Sequence, residues 1–115
     1  MISPRPVVYV IGCREWTHEG KNYYKIGRSI HPHNRMKQLK QHFNRKNLKF
    51  RFLFETCVDG ESEVEKHLHR TFRKQRVKDD ASTELFQVDI NVIKNELRQL
   101  EERGSGTILP SSMMK

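Results

Sequence analysis

Four side chains, in chain order Tyr9, Lys25, Arg35 and Glu65, are of the types that phosphate-ester chemistry uses. Hydrolysing a phosphodiester takes an activated water, neutralisation of the non-bridging oxygens and help for the leaving oxygen. A phenol or an amine can orient or deprotonate water, a guanidinium offers phosphate a planar fork, and a carboxylate can hold a divalent cation. The charge around these four suits such a substrate. Lys and Arg number 22 against 14 Asp and Glu, a formal +8 over 115 residues, and from Gly20 to Phe54 there are ten Lys or Arg and no acid. That excess favours a polyanionic partner through counterion release and long-range attraction, and nucleic acid heads the list. Lys37, Lys40, Arg45 and Lys46, all in this run, are candidates to contact its phosphates. A second basic run covers Arg70, Arg73, Lys74, Arg76 and Lys78.

Other classes fit less well. The length allows one compact domain with a modest core and is too short for two. The apolar stretch Val7 to Ile11 is too short for a membrane span or a signal-peptide core, so no membrane partner and an intracellular location are expected. With only Cys13 and Cys57, free thiols are expected rather than a disulfide framework. His31/His33 and His67/His69 both read H-x-H, but residues two apart on a helix do not share a face and no C-x-x-C accompanies them, so no structural zinc site is expected.

The elements that must position the four residues follow from periodicity. Val7 to Ile11 is β-branched and apolar, a buried strand ending at Gly12. Cys13 to Lys21 reads as a long hairpin loop. Asn22 to Arg28 gives a second strand, with Tyr24 and Ile26 on one face and Tyr23, Lys25 and Gly27 on the other. Pro32 opens a helix that Met36, Leu39 and Phe43 continue to about Asn44. Leu48, Phe50, Phe52 and Phe54 alternate with Lys49, Arg51, Leu53 and Glu55, predicting a third strand with those apolar residues on one face.

From Glu61 to Lys74, Val64, Leu68 and Phe72 form one stripe of a helix. At about 100° per residue, Glu65 falls at the edge of that buried stripe, whereas Glu63 and Lys66 fall opposite it. Glu61 is explained by the helix dipole of the first turn. Residues Lys78 to Ser82 read as an exposed loop before an extended piece, Glu84 to Val88. Asp89 is a plausible cap for a last helix carrying Ile90, Ile93, Leu97 and Leu100. The predicted class is α+β, a small antiparallel three-stranded sheet flanked by helices in a β-β-α-β-α core, with an additional C-terminal helix. Residues 1–103 form the domain, with its core at 7–88 and the helix at 89–103, and 104–115, rich in Gly and Ser, read as a flexible tail.

Tyr9 in the first strand, Tyr24-Lys25-Ile26-Gly27 in the second, Arg35 in the first helix and Glu65 in the next occur in an order that resembles the GIY-YIG nuclease superfamily. Val8-Tyr9-Val10 stands for the GIY triplet and Lys25-Ile26-Gly27 for YIG. The resemblance runs from about Val7 to Phe86. Lys-Ile-Gly-Arg-Ser, Glu-x-x-Leu-His-x-x-Phe and Glu84-Leu85-Phe86 look most like a branch common in phages and large DNA viruses. The first triplet lacks its Gly, Lys25 replaces the second signature tyrosine, and the late asparagine of the superfamily has only Asn91 as a distant counterpart.

The resemblance implies a metal-dependent endonuclease acting on DNA, with RNA not excluded. Glu65 would bind Mg2+ or Mn2+, Arg35 would hold the scissile phosphate, and Tyr9 or Lys25 would handle the attacking water. An ammonium at Lys25 would favour the phenolate of Tyr9, whose ordinary pKa is about 10. His69, four residues after Glu65 and on its face, is a secondary candidate, as are Tyr24 and Arg28 on the same surface. Tyr23 and Trp16 are expected to pack rather than stack on bases. Two rivals stand beside the enzyme: a non-catalytic binding module of the same fold, and a viral interaction protein presenting its last helix. A protein partner or a homodimer could supply target specificity, since no helix-turn-helix or zinc finger is recognisable.

Overall fold

The computed structural model describes residues 5–57, 60–77 and 85–114. Val7–Gly12 (β1) is a strand, as its β-branched run predicts, and all six of its residues are buried. Thr17–His18 (β2) and Lys21–Asn22 (β3) pair as a small antiparallel ribbon inside the predicted hairpin loop. Tyr24–Ser29 (β4) lies antiparallel on one side of β1 and Lys49–Thr56 (β5) antiparallel on the other. Leu85–Phe86 (β6) pairs with β4, and Gly106–Ile108 (β7) pairs with β5. Among the described residues the sheet therefore has five strands in the order β6-β4-β1-β5-β7, not three. The helices are Pro32–His42 (α1), Glu61–Thr71 (α2) and Ile90–Glu102 (α3), so the class is α+β.

β1 reads as a continuous apolar run because both faces of the sheet are covered. Val8 and Val10 belong to a cluster with Val64 and Leu68 of α2 and with Ile93, Leu97 and Leu100 of α3. Val7, Tyr9 and Ile11 belong to a second cluster with Met36 and Leu39 of α1. Each fully buried aliphatic or aromatic side chain contributes about 1.5–3 kcal/mol, so these two clusters dominate stability. Ile93, Leu97 and Leu100 are buried, which uses up in the fold the apolar face that an interaction protein would have exposed. Asp89 caps α3 by accepting the Asn91 N–H at 2.8 Å.

Two expectations need correcting. The alternation in β5 does not keep its phenylalanines on one face. A register shift opposite Val10/Ile11 makes Arg51 an extra residue, and one extra residue inverts every side chain beyond it. Leu48 and Phe50 consequently join the α1 cluster, while Phe52 and Phe54 join the α2 and α3 cluster. The flexible tail is also ordered in part. Gly104, at φ +79, ends α3; its N–H bonds the Glu101 carbonyl and the Ser105 N–H that of Leu100. This left-handed turn sends the chain back onto β5 as β7, and a 3₁₀ turn, Ser111–Met114, follows. The Gly and Ser that suggested flexibility are a helix stop. The predicted loop Lys78 to Ser82, and Glu84, lie outside the described residues. Among the described residues, no helix is long and apolar enough to cross a membrane.

Candidate active site

Alternation along β4 sends Tyr24, Ile26 and Arg28 toward α2, and Lys25, Gly27 and Ser29 toward α1. β6 covers the outer edge of β4 only at Tyr24 and Lys25. From Gly27 to Ser29, no described strand pairs with that edge. α2 runs alongside this strand in the opposite direction. The His69 Nε2–H donates to the Ile26 carbonyl over 2.9 Å, and one turn earlier Glu65 Oε1 lies 3.7 Å from Arg28 Nε. Four helical residues advance about 6 Å and two strand residues about 6.6 Å, so the two contacts stay in step. The His69 ring also packs on Phe86 at 5.0 Å between centroids. Glu65 is thereby fixed at the margin of the core, its side chain 14% exposed, where periodicity predicts it.

The other face carries the remaining three residues. Tyr9 is directly opposite Gly27 in the ladder, and its ring lies across that glycine: a Cβ at position 27 would collide with the Tyr9 hydroxyl and ring. Glycine is required there because any side chain would displace the buried phenol that lies over it. Lys25, opposite Ile11, is a diagonal neighbour of Tyr9 on the same face, within reach of a long side chain. Lys25 is buried at 4% exposure, although it lies in the basic run from Gly20 to Phe54.

Arg35 is exposed near the start of α1. That start is set by the Ser29 hydroxyl, which accepts the His31 N–H at 2.9 Å, and by Pro32 in the first turn. The Arg35 guanidinium donates to Gln38 along its own helix. With Met36 at zero and about 100° per residue, Lys40 and Lys37 fall near 40° and 100°, but Arg35 falls near 260°. Lys37 and Lys40 border a cavity with Leu48 and Phe50, so their flank of α1 faces β5. The Arg35 flank consequently faces the β4 side.

The structure thus brings Glu65, Arg28 and His69 together and makes Tyr9 and Lys25 neighbours, but it divides these groups between the two faces of the sheet. They approach one another only around the open edge at Gly27. Tyr24 does not belong here: it is buried against the α2 and α3 cluster at the far end of β4 from Arg28. Lys37 and Lys40 are likewise not a wall around Arg35, and Arg45 and Lys46 are exposed beyond the end of α1. Trp16 is buried, stacked on Tyr23 and edge-on to Phe43, so both aromatics pack as expected. Asn91 is exposed at the start of α3, engaged with its cap. Gly27 and the Ile26 carbonyl are the positioning elements that sequence reasoning missed. The signal was present in Tyr9 and Gly27 but needed the strand register to be read.

The model of the T5orf172 domain matches residues 7–101, which take in both strands, both helices of the site and α3. This chain belongs to the T5orf172 domain family. The T5orf172 domain is associated with nuclease-like proteins of phages and bacteria. The matched region extends beyond Phe86, where the motif resemblance stops, and takes in α3 as far as residue 101. Neither the curated proteins nor the solved structures compared with the chain contain a match.

Proposed function

We propose that this T5orf172 domain is a metal-dependent endonuclease of the GIY-YIG type that hydrolyses phosphodiester bonds in DNA. The observation that carries the reading is the α2 register, which holds the Glu65 carboxylate beside Arg28 on the stretch of β4 that no described strand covers, next to the glycine that Tyr9 overlies. A DNA backbone crossing that edge would meet groups from both faces of the sheet.

The donor set fits a hard divalent cation. His69 Nε2 is committed to the Ile26 carbonyl, and among the described residues no three His, Cys, Asp or Glu cluster. A single carboxylate suits Mg2+ or Mn2+, which keep most of their waters. Such a cation on Glu65 would supply Lewis-acid stabilisation of the leaving oxygen. Arg35 would neutralise a non-bridging oxygen with its planar fork, and Arg28, already beside Glu65, would add a second cation to the phosphate. Tyr9 would orient the attacking water and accept its proton, with the Lys25 ammonium favouring the phenolate. Lys25 itself is the alternative base. His69 acts through Glu65, as the pin that keeps α2 in register with β4.

The test is nicking of supercoiled plasmid by the purified chain with Mg2+ or Mn2+ against chelator, beside Glu65→Ala and Arg35→Ala. Metal-dependent nicking that falls by at least about a hundredfold in both variants is expected. Nicking that survives both substitutions, or DNA binding with no nicking in any metal, overturns the mechanism and leaves the binding-module reading in its place.

A further inference from the structure

At the end of the sheet away from Arg28, β1 finishes and β5 begins, with Gly12 opposite Lys49. A cavity of about 670 Å3 opens there, bordered by Arg14, Asn22, Tyr24, Asn47, Lys49 and Arg51 among others, and among the described residues no carboxylate lines it. The bulge explains why two cations are there. Lys49 and Arg51 share the α3 face, and the extra residue then returns Phe52 and Phe54 to that same face as core. Without it, the charged and apolar parts of β5 could not follow one another on one side of the sheet.

Like charges around one cavity repel, and the described residues offer little to offset this. Arg14 Nε lies 3.9 Å from Glu15 Oε1, and the other oxygen of that carboxylate accepts from Asn47 Nδ2, so Glu15 offsets part of the Arg14 charge. That hydrogen bond is the main cause that lowers the Glu15 pKa below its ordinary value. Among the described residues neither Lys49 nor Arg51 has an ion-pair partner. Lys49 also borders the cavity that Lys37 and Lys40 line on the opposite face, so this end of the sheet is open from both sides. α1 leads from one end toward the other: it has no acid in its first turn, carries Arg35 near its start and ends at His42, with Arg45 and Lys46 exposed beyond it.

We infer that Arg14, Lys49 and Arg51 form a second phosphate-binding site, which takes the backbone of the same DNA strand after it has passed along α1. The inference rests on the nuclease reading for its choice of polyanion. Eleven helical residues span about 16 Å, which corresponds to about five nucleotides at about 3.4 Å each. The second site therefore fixes a strand's position about five nucleotides from the phosphate at Glu65, through backbone contacts that carry no sequence information.

The experiment uses the full chain in chelator, where no cleavage interferes, and fluorescence anisotropy of labelled deoxyadenylate oligomers, whose bases stack, of roughly four and roughly twelve nucleotides, below and above that span. Wild type is expected to bind the longer oligomer at least about tenfold more tightly. The doubly reversed variant Lys49→Glu/Arg51→Glu should lose that gain and flatten the salt dependence by about 1.4 in log-log slope, the value for two single-strand phosphate contacts. The milder Lys49→Gln/Arg51→Gln should lose part of both, with an unchanged thermal melt as control. An unchanged length gain in the reversed variant overturns the site. So does displacement of the long oligomer by inorganic phosphate at low concentration, which would make this a small-anion pocket. The expected binding pattern without metal-dependent nicking of plasmid would overturn the nuclease reading alone.

Discussion

The two ends of β4 obey the same alternation and have opposite fates. At Tyr24 and Lys25 the strand is covered by β6, and everything there is buried, including the lysine. From Gly27 to Ser29 no described strand covers it, and an exposed Arg28 faces a half-buried Glu65. The covered end contributes stability. The open end admits charge and leaves a glycine where a side chain would otherwise close the edge. A short sixth strand thus decides which stretch of the β4 edge is left to charged groups, since only beyond it does an exposed residue, Arg28, follow along the strand.

The sharpest way to break this comparison is one substitution at each end. Phe86→Ala, at the covered end with no exposed surface, should cost about 3–5 kcal/mol by chemical denaturation. Arg28→Ala, at the open end in an ion pair 47% exposed on the arginine side, should cost less than about 1 kcal/mol while lowering plasmid nicking. Comparable losses of stability at both ends would remove the distinction. A smaller effect is expected from Gly27→Ala, whose new methyl meets the Tyr9 ring. Tyr9 is too buried to step aside, so about 1–3 kcal/mol of overpacking strain is expected, together with reduced nicking. A stable and fully active variant would show that the phenol does not need to cross position 27.

The smallest effect concerns the thiols, where burial acts on a single atom. Burial pushes the Cys13 thiol above its ordinary pKa, whereas Cys57 is exposed. A raised pKa leaves less thiolate at neutral pH, so Cys57 should react first with a thiol-specific reagent. Equal rates in the native protein, or Cys13 leading, would count against the burial of the Gly12 end of β1.

Much of this was legible from residue order. Local periodicity located β1, β4, the start of β5 and all three helices, because each has one apolar stripe or run that can only be buried one way. The same arithmetic put Glu65 at the edge of its stripe. Other features depend on partners distant in sequence. Nothing local announces that Arg51 is bulged, since the bulge exists only against Val10 and Ile11. Gly106–Ile108 becomes a strand only because β5 has a free edge to offer it.

The sequence by itself determined the excess of basic charge, the α+β class and the candidate residues, since composition and period are properties of the chain alone. Tertiary structure decided the rest: that Tyr9 and Lys25 share one face while Glu65 stands on the other, that Tyr24 is core, and that Lys37 and Lys40 turn away from Arg35. Which face a side chain occupies depends on register, and register is fixed only when strands pair and both faces of the sheet are buried.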